Sequence, residues 1–453
     1  MKAIQLILAN CMLVILLMVS VAWSELSEEE IARLDADLTP MGAVKAGNAE
    51  GTIPAWEGGI TVPPAGYIIG EKHIDPFAKD KILMTISADN VAKYADKLTV
   101  GHKAMLKQYD TFRMNVYRTR RSASAPQRIY EGTLKASKTA KLVEGGKGVT
   151  GAVGGIPFPI PQNGIEAIWN HILRWRGPGA IRHYAVTPVT KGGSYELAKM
   201  IENTQFLYYR EGMIEEELNN LLFVLLNTNV APVRMAGTIS LIHETLNNDR
   251  GKRQVWIYKP GRRRVFRAPE ISFDNPNKPT DGLTTVDSID MYNGSPERYN
   301  WELVGRREIY IPYNSYKLHS GELKYKDIIM PLHLNSEYLR YELHRVWVVD
   351  ATLKKGFRHL YKRRTFYIDE DSWQIAAIDV YGKRDELWRV SENHGINFYD
   401  VPTFWTTAEL HYDLKSGRYA VRYLSNEEKN IVFTDSYNPK EFTPAALRRK
   451  GTR

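Results

Sequence analysis

The sequence predicts a mainly β, α+β protein: one large curved antiparallel sheet forming a half-barrel capped by a few helices. Three observations carry this. From about residue 181 onward, strand-like segments follow one another with short polar turns between them. Helical periodicity is confined to a few segments, most of them upstream, with loop and helix again over 284–298. Residues 254–269, Q-V-W-I-Y-K-P-G-R-R-R-V-F-R-A-P, read as strand, tight turn and strand with apolar side chains on both faces. Val255 and Ile257 point one way, Trp256 and Tyr258 the other. Both faces therefore need cover, by a packed helix or by a bound apolar ligand. A sheet this long curls. With too few helices to bury two flat faces, closure towards a half-barrel is the economical solution.

The chain begins with Lys2, an apolar run over residues 4–21, then Ala22-Trp23-Ser24 and the acidic Glu25-Leu26-Ser27-Glu28-Glu29-Glu30. A positive start, an apolar stretch and a small-x-small site predict an exported protein cleaved after Ser24. An uncleaved anchor is the alternative, because the run approaches spanning length. Cys11, the single cysteine, lies inside the apolar run after the bulky Asn10, which argues against lipidation there. Cleavage leaves 429 of the 453 residues and no cysteine, so stability must come from core size and not from disulfides. That length suits one very large domain or two to three ordinary ones. The formal charge of +9 becomes +8 without Lys2, and the pI is about 9.2. The charges are dispersed, and an exported chain does not ordinarily meet nucleic acid. A mildly basic surface suits anionic head groups or a negative envelope partner, against the plainer reading of a solvated surface that maintains solubility.

Residues 25–77 form an extended arm punctuated by Gly51-Thr52-Ile53-Pro54, Gly58-Gly59 and Pro63-Pro64-Ala65-Gly66; Trp56 and Tyr67 suggest that it wraps over a folded body. Residues 78–180 are a helical and loop region. Val91, Tyr94, Ala95 and Leu98 recur at helical spacing, residues 102–109 continue likewise, and Asn115-Val116-Tyr117 starts a strand. A Gly- and Pro-rich passage over 145–161 precedes a helix over 165–175, which Gly177-Pro178-Gly179 stops. Residues 181–453 carry the half-barrel, so that 78–453 make one structural unit. Strands are predicted over 183–190, 195–209, 221–228, 234–244, 254–258 and 264–268. Further strands follow over 301–310, 341–353, 359–368, 373–381, 387–390, 408–412 and 419–423.

No catalytic pattern survives inspection. Gly146-Lys147-Gly148-Val149-Thr150-Gly151 matches G-x-G-x-x-G, but Phe158-Pro159 and its neighbours open no helix to receive phosphates. His243-Glu244 lacks a second histidine at the zincin spacing, and no G-x-S-x-G elbow is present. His171, His344 and His359 sit among aromatics as structural histidines, and Asp369 to Asp371 read as a solvated turn. No metal, cofactor or catalytic residue is expected. What remains is aromatic placement, as ordinary core or as the wall of an apolar pocket. Arg262-Arg263-Arg264 and Arg363-Arg364 read as exposed edge and turn charge, or as a rim for anionic head groups.

Several segments together resemble a known family. They include Leu38-Thr39-Pro40-Met41-Gly42-Ala43, Gly51-Thr52-Ile53-Pro54-Ala55-Trp56 and Gly155-Ile156-Pro157-Phe158-Pro159-Ile160-Pro161. Trp169-Asn170-His171, Leu343-His344-Arg345-Val346-Trp347-Val348-Val349, Asp369-Glu370-Asp371-Ser372-Trp373 and Gly417-Arg418-Tyr419 extend the match over nearly the whole mature chain. The family is the exported Gram-negative domain of unknown function DUF 1329, which resembles outer-membrane lipoprotein-sorting proteins of the LolA and LolB type. The resemblance implies a half-barrel enclosing an apolar cavity, a periplasmic location with possible outer-membrane association, and work beside a resistance-nodulation-division transporter and an outer-membrane partner. It implies no catalytic residue. The resulting expectation is a non-catalytic carrier of lipid or lipoprotein acyl chains. Trp256, Tyr258, Trp347, Val349, Phe366 and Ile368 are expected to line its cavity, with Arg262, Arg263 and Arg363 at a head-group rim. Which face of strand 254–258 is concave stays open. The alternatives are an envelope scaffold docking through its extended arm and, third, an enzyme.

Overall fold

The computed structural model describes residues 26–268 and 273–452. The export segment and its cleavage after Ser24 lie outside the described residues.

All the strands of the described residues but one two-stranded hairpin join a single 16-stranded sheet. Two short strands, β1 (Met84–Ile86) and β2 (Met114–Val116), enter its edge, and β3 (Lys141–Leu142) with β4 (Val149–Thr150) forms a separate hairpin. The first long meander runs through β5 (Gly179–Val189), β6 (Ala198–Gln205), β7 (Leu221–Ala231), β8 (Ile239–Thr245), β9 (Gln254–Lys259) and β10 (Arg264–Arg267). The second runs through β11 (Tyr299–Pro312), β12 (Tyr341–Leu353), β13 (Arg363–Asp369), β14 (Ile375–Tyr381), β15 (Leu387–Phe398), β16 (Thr403–Asp413) and β17 (Arg418–Leu424). A last short strand, β18 (Val432–Phe433), pairs with one end of β5. The two meanders meet where β17 pairs antiparallel with β5, Tyr419 opposite Val189 and Val421 opposite Thr187. The order is then β1-β2-β12-β13-β14-β15-β16-β17-β5-β6-β7-β8-β9-β10, with β11 beside β12 and the sheet open between its ends. This is the expected half-barrel.

Helices are few: α1 (Glu28–Ala32), α2 (Val100–Gln108), α3 (Gln127–Thr139), α4 (Gly164–Ile172), α5 (Tyr316–His319), α6 (Tyr325–Ile328) and α7 (Pro444–Thr452). Two of them matter most. The Asn163 side chain caps α4 by accepting from the Glu166 amide, and nearly every residue of α4 is buried. Ala167 and Ile168 enter a core with Trp347, Val349, Phe366, Ile368 and Ile378, so α4 fills one half of the concave side. α7 packs outside β8, β9 and β10. Its Leu447 is fully buried in a cluster with Val224, Leu226, Ile239, Leu241 and Tyr258. A Cβ at Gly451 would stand 2.2 Å from the Tyr258 ring, so the helix and strand approach this closely only because residue 451 is glycine.

Two sequence expectations need correction. The strand over 387–390 continues to Phe398, through Ser391-Glu392-Asn393-His394, all buried. Those polar side chains hide the strand because the groups they bond are distant in sequence. Glu392 Oε1 is 3.1 Å from His102 Nε2 and accepts from the Tyr341 hydroxyl at 2.8 Å, while Ser391 Oγ is 2.8 Å from His411 Nδ1. Secondly, Asp369, Glu370 and Asp371 are not a solvated turn: they are 1%, 2% and 7% exposed. The turn is a clamp for the N-terminal arm. Arg121 holds Asp371 through two bonds of 2.6 and 2.9 Å and donates to the Val44 carbonyl at 2.9 Å. Arg306 donates to the Gly42 carbonyl and Arg345 to that of Ala46, each at 2.9 Å, and both also face Glu370. The Trp373 indole donates to the Met41 carbonyl at 2.9 Å.

Breaking one partner of such a buried pair leaves an uncompensated charge, at a cost of about 3–5 kcal/mol. Arg121→Met is therefore expected to lower stability by about that amount in denaturant titration. Limited trypsin digestion should then cut first at Lys45, next to the released strand of the arm.

A cavity between the concave face and its cover

Beside the half filled by α4, the concave face of β5 to β9 bounds a cavity of about 1610 Å³. Its wall follows the pleat. Phe223, Leu225, Asn227 and Asn229 project from β7, Ser240, Ile242 and Glu244 from β8, and Val255 and Ile257 from β9. β5 and β6 add Arg182, Tyr184, Glu202 and Thr204, while Trp405, Arg422 and Tyr423 come from β16 and β17. Trp169 and Ile172 of α4, with Phe273, Ile289, Tyr292 and Pro296 from the segment between the meanders, close the opposite side.

Ion pairs rivet this cover to the sheet. Asp290 accepts from Arg174 at 2.5 Å and from Arg176 at 2.7 Å, and Arg253 joins Glu244 at 2.5 Å while donating to the Asn293 carbonyl at 2.6 Å. Burial alone would raise the Asp290 carboxyl, but Arg174 and Arg176 outweigh it and hold the group below the usual carboxylate range. The closed end is polar and buried, whereas Lys252, Lys259, Arg267 and Lys278 are exposed around the mouth.

The residues expected to line the cavity lie elsewhere. Trp256 and Tyr258 sit on the convex face of β9; Tyr258 packs under α7 and Trp256 meets the His243 ring edge-on at 4.9 Å. The face that meets the cavity is that of Val255 and Ile257. Trp347, Val349, Phe366 and Ile368 do lie on the concave side, but α4, Met291 and Tyr292 cover them and they form solid core. Trp347 stacks on Trp373 with ring centroids 6.4 Å apart. Arg262 and Arg263 are exposed in the turn that follows Lys259. Arg363 is bound to Asp385 at 3.0 Å over the Tyr381 ring, away from the cavity wall. Arg182, Glu202 and Arg422 were missed, since charges inside strands look like solvent-facing positions until the register is known.

His344, Asp369 and Asp371 bring three potential metal donors within 4.8 Å of one another. Most of their lone pairs are committed: Asp371 to Arg121, and Asp369 Oδ2 to the Ser372 amide at 3.0 Å, its hydroxyl at 2.5 Å and the Tyr313 hydroxyl at 3.3 Å, while Asp369 Oδ1 has no hydrogen-bond partner among the described residues and lies 3.8 Å from His344 Nδ1. The His344 ring lies 3.2 Å from Glu342 and stacks on Tyr313. With a guanidinium in the site, the arrangement fits an ion-pair network and not a cation. His171 is likewise satisfied, within 3.1 Å of the Trp373 carbonyl and 2.9 Å of that of Asp290. Among the described residues no helix is long and apolar enough to cross a membrane.

Fold and cavity together define a half-barrel protein with a large cavity on its concave side. The family model described as protein of unknown function (DUF1329) matches residues 85–448, and the chain belongs to that family. It is 46% identical over 458 residues to the uncharacterised protein PA3922 of Pseudomonas aeruginosa, covering all of both chains. Among solved structures it is similar to a domain from Vibrio parahaemolyticus described as that of an outer-membrane lipoprotein-sorting protein. Identity there is 14%, coverage 63% of this chain and 98% of that one, and the TM-score 0.43. A DUF1329 protein from Desulfovibrio piger matches at 13% identity over 60% of this chain and 92% of that one, with a TM-score of 0.41. The LolA-superfamily protein NE2245 of Nitrosomonas europaea matches at 11% over 62% and 98%, with a TM-score of 0.37.

The buried acidic turn gives the fold a pH dependence. Burial, then the neighbouring Asp371 charge, pushes the Asp369 carboxyl up to about 6, above an unfolded value of about 3.9. A carboxyl raised on folding stabilises fully below its unfolded value, and that contribution is lost as pH rises through the folded one. Wild type should thus melt at a lower temperature at pH 7.5 than at pH 5. Asp369→Asn, which has no such proton to lose, should show a smaller difference in a melting series across that interval.

Proposed function

We propose that this protein is a non-catalytic periplasmic carrier that encloses lipid or lipoprotein acyl chains in the concave cavity during traffic through the envelope. The observation that carries the reading is the cavity itself. At about 1610 Å³ it exceeds the ~300–1,000 Å³ of ordinary small-molecule sites. Apolar walls from Phe223, Leu225, Ile242, Val255, Ile257 and Tyr292 surround it. Each buried CH₂ contributes about 0.8 kcal/mol, so removing a long acyl chain from a bilayer costs on the order of 10 kcal/mol. A shallow groove cannot offset that; a deep cavity of this volume can. The exposed Lys252, Lys259, Arg267 and Lys278 at the mouth, with Arg262 and Arg263 beyond it, favour approach to an anionic bilayer surface.

The direct test is mass spectrometry of solvent extracts of gently purified protein, together with uptake of a fluorescent fatty acid. Lipid in the extract and saturable uptake are expected; reproducible absence of both would end the proposal. Ile257→Trp, which adds bulk on the cavity side of β9, should weaken uptake several-fold while changing stability by no more than about 1 kcal/mol.

A second reading, docking of the arm onto an envelope partner such as an inner-membrane transporter or an outer-membrane protein, has one observation in its favour. Val62, Ile68 and Ile69 of the arm are 74%, 68% and 83% exposed. It requires that serine at these three positions abolish co-purification with membranes and leave lipid uptake unchanged.

A further inference from the structure

Two guanidinium groups stand at the closed end of the cavity without a hydrogen-bonded carboxylate. Arg182, 7% exposed, donates from Nη2 to the Thr406 carbonyl at 2.9 Å, and its guanidinium lies 4.2 Å from the ring centroids of both Trp405 and Tyr423. Arg422, 4% exposed, has no partner for Nε or Nη1 among the described residues. The carboxylate beside it, Glu409 Oε1, is 3.8 Å away and already within 2.9 Å of His411 Nε2. A third charge shares this wall. Glu202 is the ladder partner of Arg182 across β5 and β6, a position where opposite charges ordinarily pair. Here Arg182 turns to the aromatic rings, and Glu202 accepts instead from the Tyr184 hydroxyl at 3.4 Å and the Thr204 hydroxyl at 3.3 Å.

The backbone is bent to bring these groups together. The register of β17 against β5 shifts between Val421 and Leu424, and Tyr423 adopts a φ of +66°. Strict alternation would send Arg422 and Tyr423 to opposite faces; at this bulge both reach the cavity wall. A left-handed conformation is unfavourable for a bulky residue and persists where the surroundings impose it. Guanidinium groups taken out of water need compensating hydrogen bonds, which the protein supplies only in part. Bulge, strain and incompletely hydrogen-bonded guanidinium groups coincide at one spot on the cavity wall.

We propose that the closed end of the cavity is a head-group site for a zwitterionic amphiphile, whose phosphate or carboxylate Arg182 and Arg422 hold while Glu202 takes its ammonium. The proposal rests on the carrier reading and adds to it a ligand class and an orientation. A planar guanidinium fork matches a phosphate or carboxylate better than any other side chain does. Glu202 in the same wall disfavours a bare anion and favours one that carries its own amine. With the head group inward, the acyl chain runs past Phe206, Phe223, Leu225, Ile242 and Ile257 towards the mouth.

The test compares three single-chain lipids of equal chain length in displacement of a fluorescent fatty acid from the full-length protein: lysophosphatidylethanolamine, lysophosphatidylglycerol and monoacylglycerol. The expected order of affinity falls along that series, with lysophosphatidylethanolamine bound at least tenfold more tightly than monoacylglycerol. Arg182→Met or Arg422→Met should erase most of this preference while leaving monoacylglycerol within threefold of its wild-type affinity. Glu202→Gln, nearly isosteric, should bring lysophosphatidylethanolamine down to lysophosphatidylglycerol. Equal binding of all three lipids by wild type would overturn the head-group site and leave the carrier reading standing, whatever the variants do. Lysophosphatidylglycerol bound as tightly as lysophosphatidylethanolamine would overturn the role of Glu202. Chain-free glycerophosphoethanolamine displacing the probe equally well would overturn the amphiphile in favour of a soluble phosphate. No displacement by any lipid would overturn the carrier reading itself.

Discussion

Everything in this molecule hangs on the pairing of β17 with β5. Each meander is a run of strands that pair antiparallel with their neighbours in sequence. Only the contact of Tyr419 with Val189 and Val421 with Thr187 makes one surface of the two. It joins parts of the chain more than 200 residues apart in sequence, which no local propensity can specify. Once it forms, the sheet is long enough to curl, one face becomes concave, and the segment between the meanders is obliged to cross that face. The cavity, its cover and the polar cluster at its closed end follow from this junction. The bulge within the same strand pair then turns Arg422 and Tyr423 inward.

Both faces of the long strands are covered, by different means on the two sides. On the convex side of β8 and β9, α7 and its Leu447 supply ordinary core. On the concave side α4 fills the half beneath β12 to β14, and the half beneath β5 to β9 stays open as a chamber. The contrast shows in β7, where burial alternates between half-buried residues facing the chamber and buried ones facing outward. A solid core would have buried both sets equally.

Charge does the fastening. Arg121, Arg306 and Arg345 converge on Glu370 and Asp371 and hold the extended arm by its own carbonyls, while Arg174, Arg176 and Arg253 hold the cover through Asp290, Glu244 and Asn293. Extended chain has no ladder of its own, so each buried carbonyl needs a donor from elsewhere. Guanidinium groups, with five N–H donors each, can serve a carboxylate and a carbonyl together. Such fastening costs desolvation and in return fixes where each segment lies.

Strand alternation, polar turns and the scarcity of helical periodicity were enough to read the half-barrel from the sequence. They sufficed because these signals are local: the strand at Tyr341–Leu353 was legible to the residue, and that at Gln254–Lys259 to within one. Two apolar faces on β9 likewise announced two covers. The sequence could not say which face met the chamber, because a period-two pattern reads identically from either side until curvature chooses the inside. For the same reason large aromatics drew attention as cavity walls, whereas Tyr258 and Trp347 turned out to be packing. Smaller Val255 and Ile257, with Arg182, Glu202 and Arg422, face the open space. Polar and charged residues inside a strand pass for solvent-facing ones in a linear reading. Only the pairing of β17 with β5 decided that these face inward, since burial belongs to the assembled sheet and not to any one strand.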